Sequence, residues 1–263
     1  MKRVIAALAG PVALMAAALL TAAPAHASAP ADPVKVLQKR LAKGTGLKFT
    51  DATSYIDMSG KTTFLRRSGK LLLDKKGVAA ADLSASYTDH QGSVFNSLSH
   101  QLGEERVIYV GKKVYLKSDR WTLKGGKTWM GLRRTPFFGM TGSYAQTINA
   151  AEPATLKALI SSGKKSGRTY TGKISESKLW KISPWFRLNT LVAPKKPATL
   201  EYRLTLGANN LPQKLVATHL ASEHWVESLV GDDKISVETR YTGWGSKVRI
   251  TAPPKSQVAE AKG

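Results

Sequence analysis

Strict alternation of apolar and polar residues constrains this chain more than any other feature of its sequence. In TLEYRLTL, residues 199–206, every second side chain is apolar and the side chains between them are polar or charged. ISVETRY, residues 235–241, alternates in the same way, with Thr239 on its apolar side. Successive side chains of a strand point to opposite faces, so each segment predicts a strand with one buried and one wet face. We therefore expect an antiparallel sheet with one covered side, because a parallel sheet would need buried, continuously apolar strands.

Turn residues predict how such strands are connected. In RVIYVGKKVYL, residues 106–116, Gly111 and Lys112 stand between two apolar runs, which is typical of a two-strand hairpin. The sequence NNLP at 209–212 predicts a second turn, which joins the strand at 199–206 to the next one. Connections of this kind belong to antiparallel sheets.

Two short segments have helical periodicity instead. Residues 33–43 place apolar side chains at helical spacing, with Asp32 as a predicted N-cap and Gly44 as a predicted stop. Residues 153–162 show a similar pattern and end before Gly163. Two short helices cover only part of a sheet face, so the sequence predicts an α+β fold in which loops or a cavity occupy the rest.

The N-terminus predicts export. Lys2 and Arg3 precede an apolar run, and the small-residue sequence Ala-His-Ala ends at Ala27, a pattern typical of a cleaved secretory signal peptide. We expect residues 1–27 to be removed and residues 28–263 to form a single domain, secreted or associated with the cell wall. The chain has no cysteine, so we expect neither disulfides nor a lipid-modified N-terminal cysteine.

The charge of the chain is strongly basic. Lys and Arg total 40 against 18 Asp and Glu, a formal net charge of +22. The predicted signal peptide carries two of these basic residues and no acidic one, so 38 basic residues remain against 18, a charge of +20. Export argues against nucleic acid and favours an anionic membrane surface or wall polymer as partner. The alternative is that excess lysine keeps a secreted sheet protein soluble and its edges unpaired.

Candidate catalytic groups are few. His219, Glu223 and His224 do not follow the order of a helical zinc motif. Ser161 and Lys164 have the spacing of an activated serine, but helix termination at Gly163 explains the same residues, and no partner motif follows. We expect no enzymatic activity, no metal and no cofactor.

The segment from Trp129 to Tyr144 is unusual for a surface loop. Gly131, Pro136 and Gly139 prevent a long regular element, yet the segment is rich in large apolar side chains. We expect its part from Trp129 to Met140 to act as a lid over the mouth of an apolar cavity on the sheet face that carries Leu204 and Val237. The predicted lid residues are Trp129, Met130, Phe137, Phe138 and Met140, with Arg133 and Arg134 as receivers of an anionic headgroup.

Several segments in order resemble the actinobacterial LppX/LprG-type lipoproteins and their secreted relatives. The C-terminal stretch YTGWGSKVRITAPPKSQVAE carries most of the resemblance: a strand ending in Tyr-x-x-Trp-Gly, a short second strand at 248–250 and a Pro-Pro stop. The lipobox cysteine of that family is absent. The other segments that line up are the hairpin at 108–116, Trp129, the helix at 156–160, and the strand at 199–206 with its turn at 210–212.

The resemblance implies a curved antiparallel sheet forming an incomplete (half) β-barrel, with helices covering its concave face, as in the carrier LolA and the stress sensor RseB. It also implies that the concave face holds acyl chains, and that residues 241–260 form the closing edge of the sheet. We therefore expect a monomeric, secreted, non-enzymatic protein that binds lipid or an acylated molecule. The alternative is an envelope sensor or interaction protein that binds a protein partner or an anionic wall polymer.

Overall fold

A computed structural model describes residues 31–41, 45–75, 77–88, 103–132, 142, 145–190, 193–220 and 233–260. The predicted signal peptide lies outside these residues, as do five predicted site residues. Within the described ranges, no helix combines the length and the apolar character that spanning a bilayer requires. The five site residues outside the described ranges are Arg133, Arg134, Phe137, Phe138 and Met140.

One twelve-stranded sheet dominates the fold. Its order is β12-β6-β5-β4-β3-β2-β1-β11-β10-β9-β8-β7, and every neighbouring pair is antiparallel except β12 with β6. The two outermost strands, β12 and β7, do not pair with each other, so the curved sheet stays open. The predicted α+β half-barrel is confirmed. The strands are β1 (Thr45–Asp57), β2 (Gly60–Asp74), β3 (Gly77–Tyr87), β4 (Glu104–Val110), β5 (Lys113–Ser118), β6 (Trp129–Leu132), β7 (Lys164–Ser166), β8 (Thr169–Ser175), β9 (Thr199–Leu206), β10 (Pro212–Leu220), β11 (Lys234–Lys247) and β12 (Val258–Glu260).

The predicted hairpins are present. Strands β4 and β5 turn at Gly111 and Lys112, whose φ angles of 58° and 64° are both positive. This conformation matches the twist of the flanking strands. The turn between β9 and β10 places Asn210 at φ 58°, a conformation that asparagine tolerates better than most residues.

In the described part of the chain, four helices pack on the concave face, and side chains cap the first turns of three of them. The predicted N-cap Asp32 accepts a hydrogen bond from the Val34 amide at 2.9 Å, and Ser175 and Ser183 cap the two helices that sequence periodicity did not predict. The first helix ends at Arg40, earlier than predicted, and the second has the predicted bounds. The helices are α1 (Pro33–Arg40), α2 (Pro153–Ser162), α3 (Glu176–Ile182) and α4 (Pro184–Asn189), and the two short 3-10 helices are Lys124–Gly126 and Lys255–Gln257.

The C-terminal stretch differs from the prediction. Strand β11 lies in the middle of the sheet, between β1 and β10, so it is not a closing edge. The predicted short strand at 248–250 is wrong, since these residues form no ladder. The chain instead continues to β12, which pairs in parallel with β6 and forms one edge of the sheet. Only the last three residues of the predicted edge therefore occupy one.

Candidate ligand-binding face

The concave face contains two apolar clusters. The main cluster lies beneath the four helices and includes Leu204. The second cluster is smaller, and its members come from β1, β2, β3 and β11 together with one loop residue. Those members are Tyr55, Phe64, Leu65, Ala85, Ala145, Ile235 and Val237, with the half-buried Tyr87 against them.

Aromatic side chains fill the main cluster and are held by hydrogen bonds. The indole nitrogen of Trp185 in α4 donates to the Gln146 carbonyl at 2.7 Å. The Tyr202 hydroxyl of β9 donates to the Leu159 carbonyl of α2, also at 2.7 Å. Both side chains are fully buried. A buried aromatic residue with a satisfied polar atom is fixed in place, so this half of the concave face is a permanent core.

A buried carboxylate links the helices that cover the main cluster. Glu152 accepts hydrogen bonds from the Thr155 hydroxyl of α2 at 2.9 Å and from the Trp185 amide of α4 at 2.8 Å. The Ser183 hydroxyl, at the start of α4, donates to the same carboxylate. Burial raises the pKa of Glu152, while these hydrogen bonds and Arg187 oppose the rise. One side chain thereby joins the first turns of α2 and α4.

A band of buried polar residues crosses the concave face between the two clusters. Asp51 of β1 lies directly opposite Arg67 of β2, and their side chains form an ion pair at 2.9 Å with exposures of 0% and 1%. Arg67 also lies over the Phe49 ring, 5.9 Å from its centroid. Burial raises the pKa of Asp51, and the Arg67 guanidinium opposes that rise.

The band continues onto β11 and the loop before α2. Thr239 lies opposite Asp51 on β11 and is buried. Two residues further along, the Tyr241 hydroxyl accepts a hydrogen bond from the Gln146 side-chain amide at 2.7 Å and another from the Ala150 amide at 3.0 Å. Within the described part of the chain, the Nη1 of Arg67 and the Oε1 of Gln146 have no hydrogen-bond partner. The band therefore retains one unused donor and one unused acceptor.

A β-bulge shapes the second cluster. The pairing of β1 with β2 shifts register between Thr53 and Ser54, which lie opposite Leu65 and Thr63. Phe64 is the extra residue, and both Phe64 and Leu65 are buried in the second cluster. A bulge of this kind allows two consecutive side chains to be buried together, which the regular alternation of a strand does not allow. No side chain of α1 to α4 belongs to this cluster, so its described members come from the sheet and Ala145.

The structure separates the predicted site residues that it describes. Leu204 lies in the main cluster and Val237 in the second. Met130 packs against the main cluster on the concave face. Trp129 points to the convex face, where it packs with Ile108 and Tyr115. These two neighbours in β6 cannot both cover one cavity, because successive strand residues point to opposite sides.

Comparisons with known proteins do not carry the fold assignment. No protein-family model and no curated protein matches the chain. The chain is similar to the solved structure of a LolA superfamily protein from Nitrosomonas europaea, with 7% identity and a TM-score of 0.33, over 84% of this chain and 93% of that one. It is also similar to the ywiB protein from Bacillus subtilis, with 11% identity and a TM-score of 0.18, over 78% and 98% of the two chains. The half-barrel is therefore assigned from the sheet order and register described above.

Proposed function

We propose that this chain is an exported, non-enzymatic protein that binds an acyl chain, or a molecule carrying one, against the second cluster of the concave face. One observation carries the proposal: the second cluster is an apolar part of the concave face to which α1 to α4 contribute no side chain. The main cluster is already filled by the protein's own aromatic residues. The members of the second cluster are themselves buried, so an acyl chain there would replace present packing partners and keep apolar surface out of water, at about 25 cal/mol per Å².

The polar band then marks where an acyl chain would end. Burying a charge or an unpaired polar group against an alkyl chain is costly. The bound acyl chain should therefore lie on the Val237 side of Asp51 and Arg67. Arg67 is a poor receiver of an anionic headgroup, because Asp51 already matches its charge. Arg133 and Arg134, which follow β6, remain the proposed headgroup residues, and Phe137, Phe138 and Met140 the proposed lid.

A matched pair of substitutions tests the site. Val237→Thr and Val114→Thr each place a hydroxyl on a buried valine of the concave face, the first in the second cluster and the second in the main cluster. A buried hydroxyl costs about 1–3 kcal/mol. Val237→Thr should therefore weaken binding of a fluorescent fatty acid by about tenfold, whereas Val114→Thr should leave it within about twofold.

Calorimetric melting of both variants separates binding from folding. Both should lower the melting temperature by similar amounts, because each places one hydroxyl in an apolar cluster. Phe137→Asp and Phe138→Asp should reduce retention of the fatty acid more than they lower the melting temperature. Failure of the wild-type chain to bind any fatty acid, or equal loss of binding in the two valine variants, would refute the proposal.

Export is part of the same proposal. The sequence of residues 1–27 supports it. N-terminal sequencing of protein recovered from medium or cell wall should begin at Ser28. Recovery of a chain that retains residues 1–27 would exclude cleavage there.

The charge of the chain favours a second candidate function, association with an anionic polymer outside the cell. The formal charge of +20 on residues 28–263 supports it, since a strongly basic protein attracts polyanions through a field screened over about 10 Å at 0.1 M salt. Binding to such a polymer should weaken steeply between about 50 and 200 mM salt. Indifference to salt would remove this candidate.

A further inference from the structure

The convex face carries a row of hydroxyl side chains in register across three strands. Thr50 of β1 lies opposite Ser68 of β2, and Ser68 lies opposite Ser84 of β3. The same row continues to Arg106 of β4 and Lys117 of β5. All five side chains are exposed. The three hydroxyl residues are small, so the surface is recessed along this row.

Two adjoining depressions show the recess as a continuous trough. Their volumes are about 730 and 410 Å³, and both are lined by Thr50, Ser68, Ser84 and Arg106. Because neighbouring strands lie about 4.8 Å apart, a row across β1 to β4 is about 15 Å long. We call this feature the convex trough; its floor is Thr50, Ser68 and Ser84.

The walls of the convex trough are basic at the β1 and β2 end. Lys48 and Lys70 lie opposite each other along one side, and Arg66 lies along the other. These three side chains are exposed and have no carboxylate partner within the described part of the chain. Their charge is therefore available to a partner.

Acidic residues line the trough from β3 to its β5 end, and Asp82 of β3 lies opposite Lys70. Asp82 is paired there with Arg106, with both hydrogen bonds at 3.0 Å, and Glu104 and Asp119 line the wall beyond. Asp51 and Arg67 also border the trough, but they pair with each other on the concave side. The remaining lining has five basic and four acidic side chains, and Glu105 among the latter is buried. The basic ones are Lys48, Lys70, Arg66, Arg106 and Lys117, and the acidic ones are Asp82, Glu104, Glu105 and Asp119.

We propose that the convex trough binds one extended chain of a polyol or sugar polymer with repeating phosphate groups. This rests on the second candidate function and gives it a site. Serine and threonine hydroxyls donate to phosphate or hydroxyl oxygens, and lysine and arginine supply charge-assisted bonds to phosphate. A recessed floor between basic walls admits a single polymer chain, whereas the flat headgroup layer of a bilayer reaches only the walls.

The lining also disfavours single-stranded nucleic acid. Proteins that bind single strands stack the bases on exposed aromatic side chains. The single aromatic residue among the described residues that line the trough is Phe49, which is buried in the main cluster. Trp129, beyond the far end, is buried under Arg106, whose guanidinium lies 5.7 Å from the ring centroid. The trough therefore offers hydroxyls and charge but no stacking surface.

A charge-matched pair of double variants tests the site with a short poly(glycerol phosphate) as probe. Lys48→Gln with Lys70→Gln removes two charges from the trough. Lys195→Gln with Lys196→Gln removes two charges from the exposed connection between α4 and β9. By isothermal titration at about 50 mM salt, the trough pair should weaken binding of the polymer by about tenfold. It should also reduce the salt dependence of binding, because a variant that contacts fewer phosphates releases fewer counterions. The connection pair should change affinity by less than about twofold.

A blocking variant distinguishes a recessed site from a charged surface. Ser84→Tyr leaves the charge unchanged and fills the floor, at an exposed strand position that tolerates tyrosine. It should weaken binding of the polymer at least about fivefold and leave binding to anionic vesicles unchanged, as expected for a site whose floor only a chain can reach.

The outcomes separate the site from the function on which it rests. If the wild-type chain does not bind the polymer, the second candidate function fails, and the site with it. If it binds but the two lysine pairs weaken binding equally, attraction is diffuse and the trough is not the site. If single-stranded DNA or anionic vesicles displace the polymer at equal charge concentration and Ser84→Tyr has no effect, the proposed selectivity for a polyol phosphate chain is wrong.

Discussion

The two apolar clusters of the concave face share a sheet but differ in what encloses them. The main cluster is closed by helices, and Trp185 and Tyr202 reach across it to hydrogen-bond backbone carbonyls. The second cluster contains no residue of α1 to α4 and gains its bulk from a bulge at Phe64. The comparison indicates that the main cluster serves stability, while the second is the part of the face that could exchange packing partners.

The polar band keeps the two clusters apart. A buried ion pair such as Asp51 with Arg67 contributes little net stability compared with well-packed apolar residues, because desolvation offsets the attraction. Its effect is on which side chains pack together. Side chains of the two clusters cannot pack against each other in place of Asp51 and Arg67 without leaving a buried charge unpaired. We infer that the band fixes the boundary at which helix-covered core ends.

The largest effect should come from breaking this boundary. Arg67→Met would leave the Asp51 carboxylate buried without its partner, and removal of one member of a buried pair costs about 3–5 kcal/mol. We expect the free energy of unfolding to fall by about 4 kcal/mol in urea denaturation at neutral pH.

A double variant provides the control for that loss. Asp51→Leu combined with Arg67→Met makes the row apolar and should recover most of the stability, to within about 1 kcal/mol of the wild type. In this double variant the two clusters should form one continuous apolar core. A double variant as unstable as Arg67→Met would show that the band contributes through packing rather than charge.

Regular alternation decided how much of the fold could be predicted. Strands β9 and β11 follow it closely, and the helix at 153–162 has its predicted bounds. Strands β1 to β3 have 13, 15 and 11 residues. They were not predicted, because their concave positions include Asp51, Arg67 and Gly69 among the apolar residues. Such positions hide the period of two that identifies a strand.

The candidate site was less predictable than the fold. Asp51 and Arg67 are 16 residues apart, and their pairing follows from the register of two strands, which sequence alone does not give. A signal did exist: Asp51 has the same parity as Leu47 and Phe49, so a strand through them places a carboxylate on the apolar face. The bulge at Phe64 gave no comparable signal, because one extra residue shifts parity without changing composition.

A smaller effect should distinguish the two clusters directly. Leu204 and Leu65 are both fully buried leucines of the concave face, one in each cluster. Leu204→Ala should cost about 3 kcal/mol, because helices held by hydrogen bonds cannot close on the cavity. Leu65→Ala should cost about 2 kcal/mol, since none of α1 to α4 contributes a side chain to its cluster and the site relaxes more easily. Urea denaturation measures both values.

Added fatty acid sharpens the same test. It should raise the melting temperature of the Leu65→Ala variant more than that of the Leu204→Ala variant, because a bound ligand stabilises only the fold that binds it. Equal losses of stability together with equal responses to fatty acid would mean that the two clusters do not differ in the way proposed.

The smallest effect concerns pH and the carboxylate that anchors the main cluster. Burial raises the pKa of Glu152 above its ordinary value near 4.5, so the folded protein favours the protonated form more than the unfolded chain does. The stabilisation from this group is therefore complete below that ordinary value and is lost as pH rises through the raised pKa of the folded state. Glu152→Gln remains neutral, and its amide can donate to the Thr155 and Ser183 hydroxyls while its carbonyl accepts from the Trp185 amide.

We expect the free energy of unfolding of the wild type, relative to Glu152→Gln, to decline by about 1 kcal/mol per pH unit over the interval between the two pKa values and to level off above it. Urea denaturation at a series of pH values from about 4 to 8 measures this difference. Asp51 has a raised pKa with the same sign, but it is present in both proteins and cancels. A difference that instead grew as pH rose would mean that the hydrogen bonds from Thr155, Ser183 and Trp185 outweigh burial, and that the ionised carboxylate stabilises the helix-covered half.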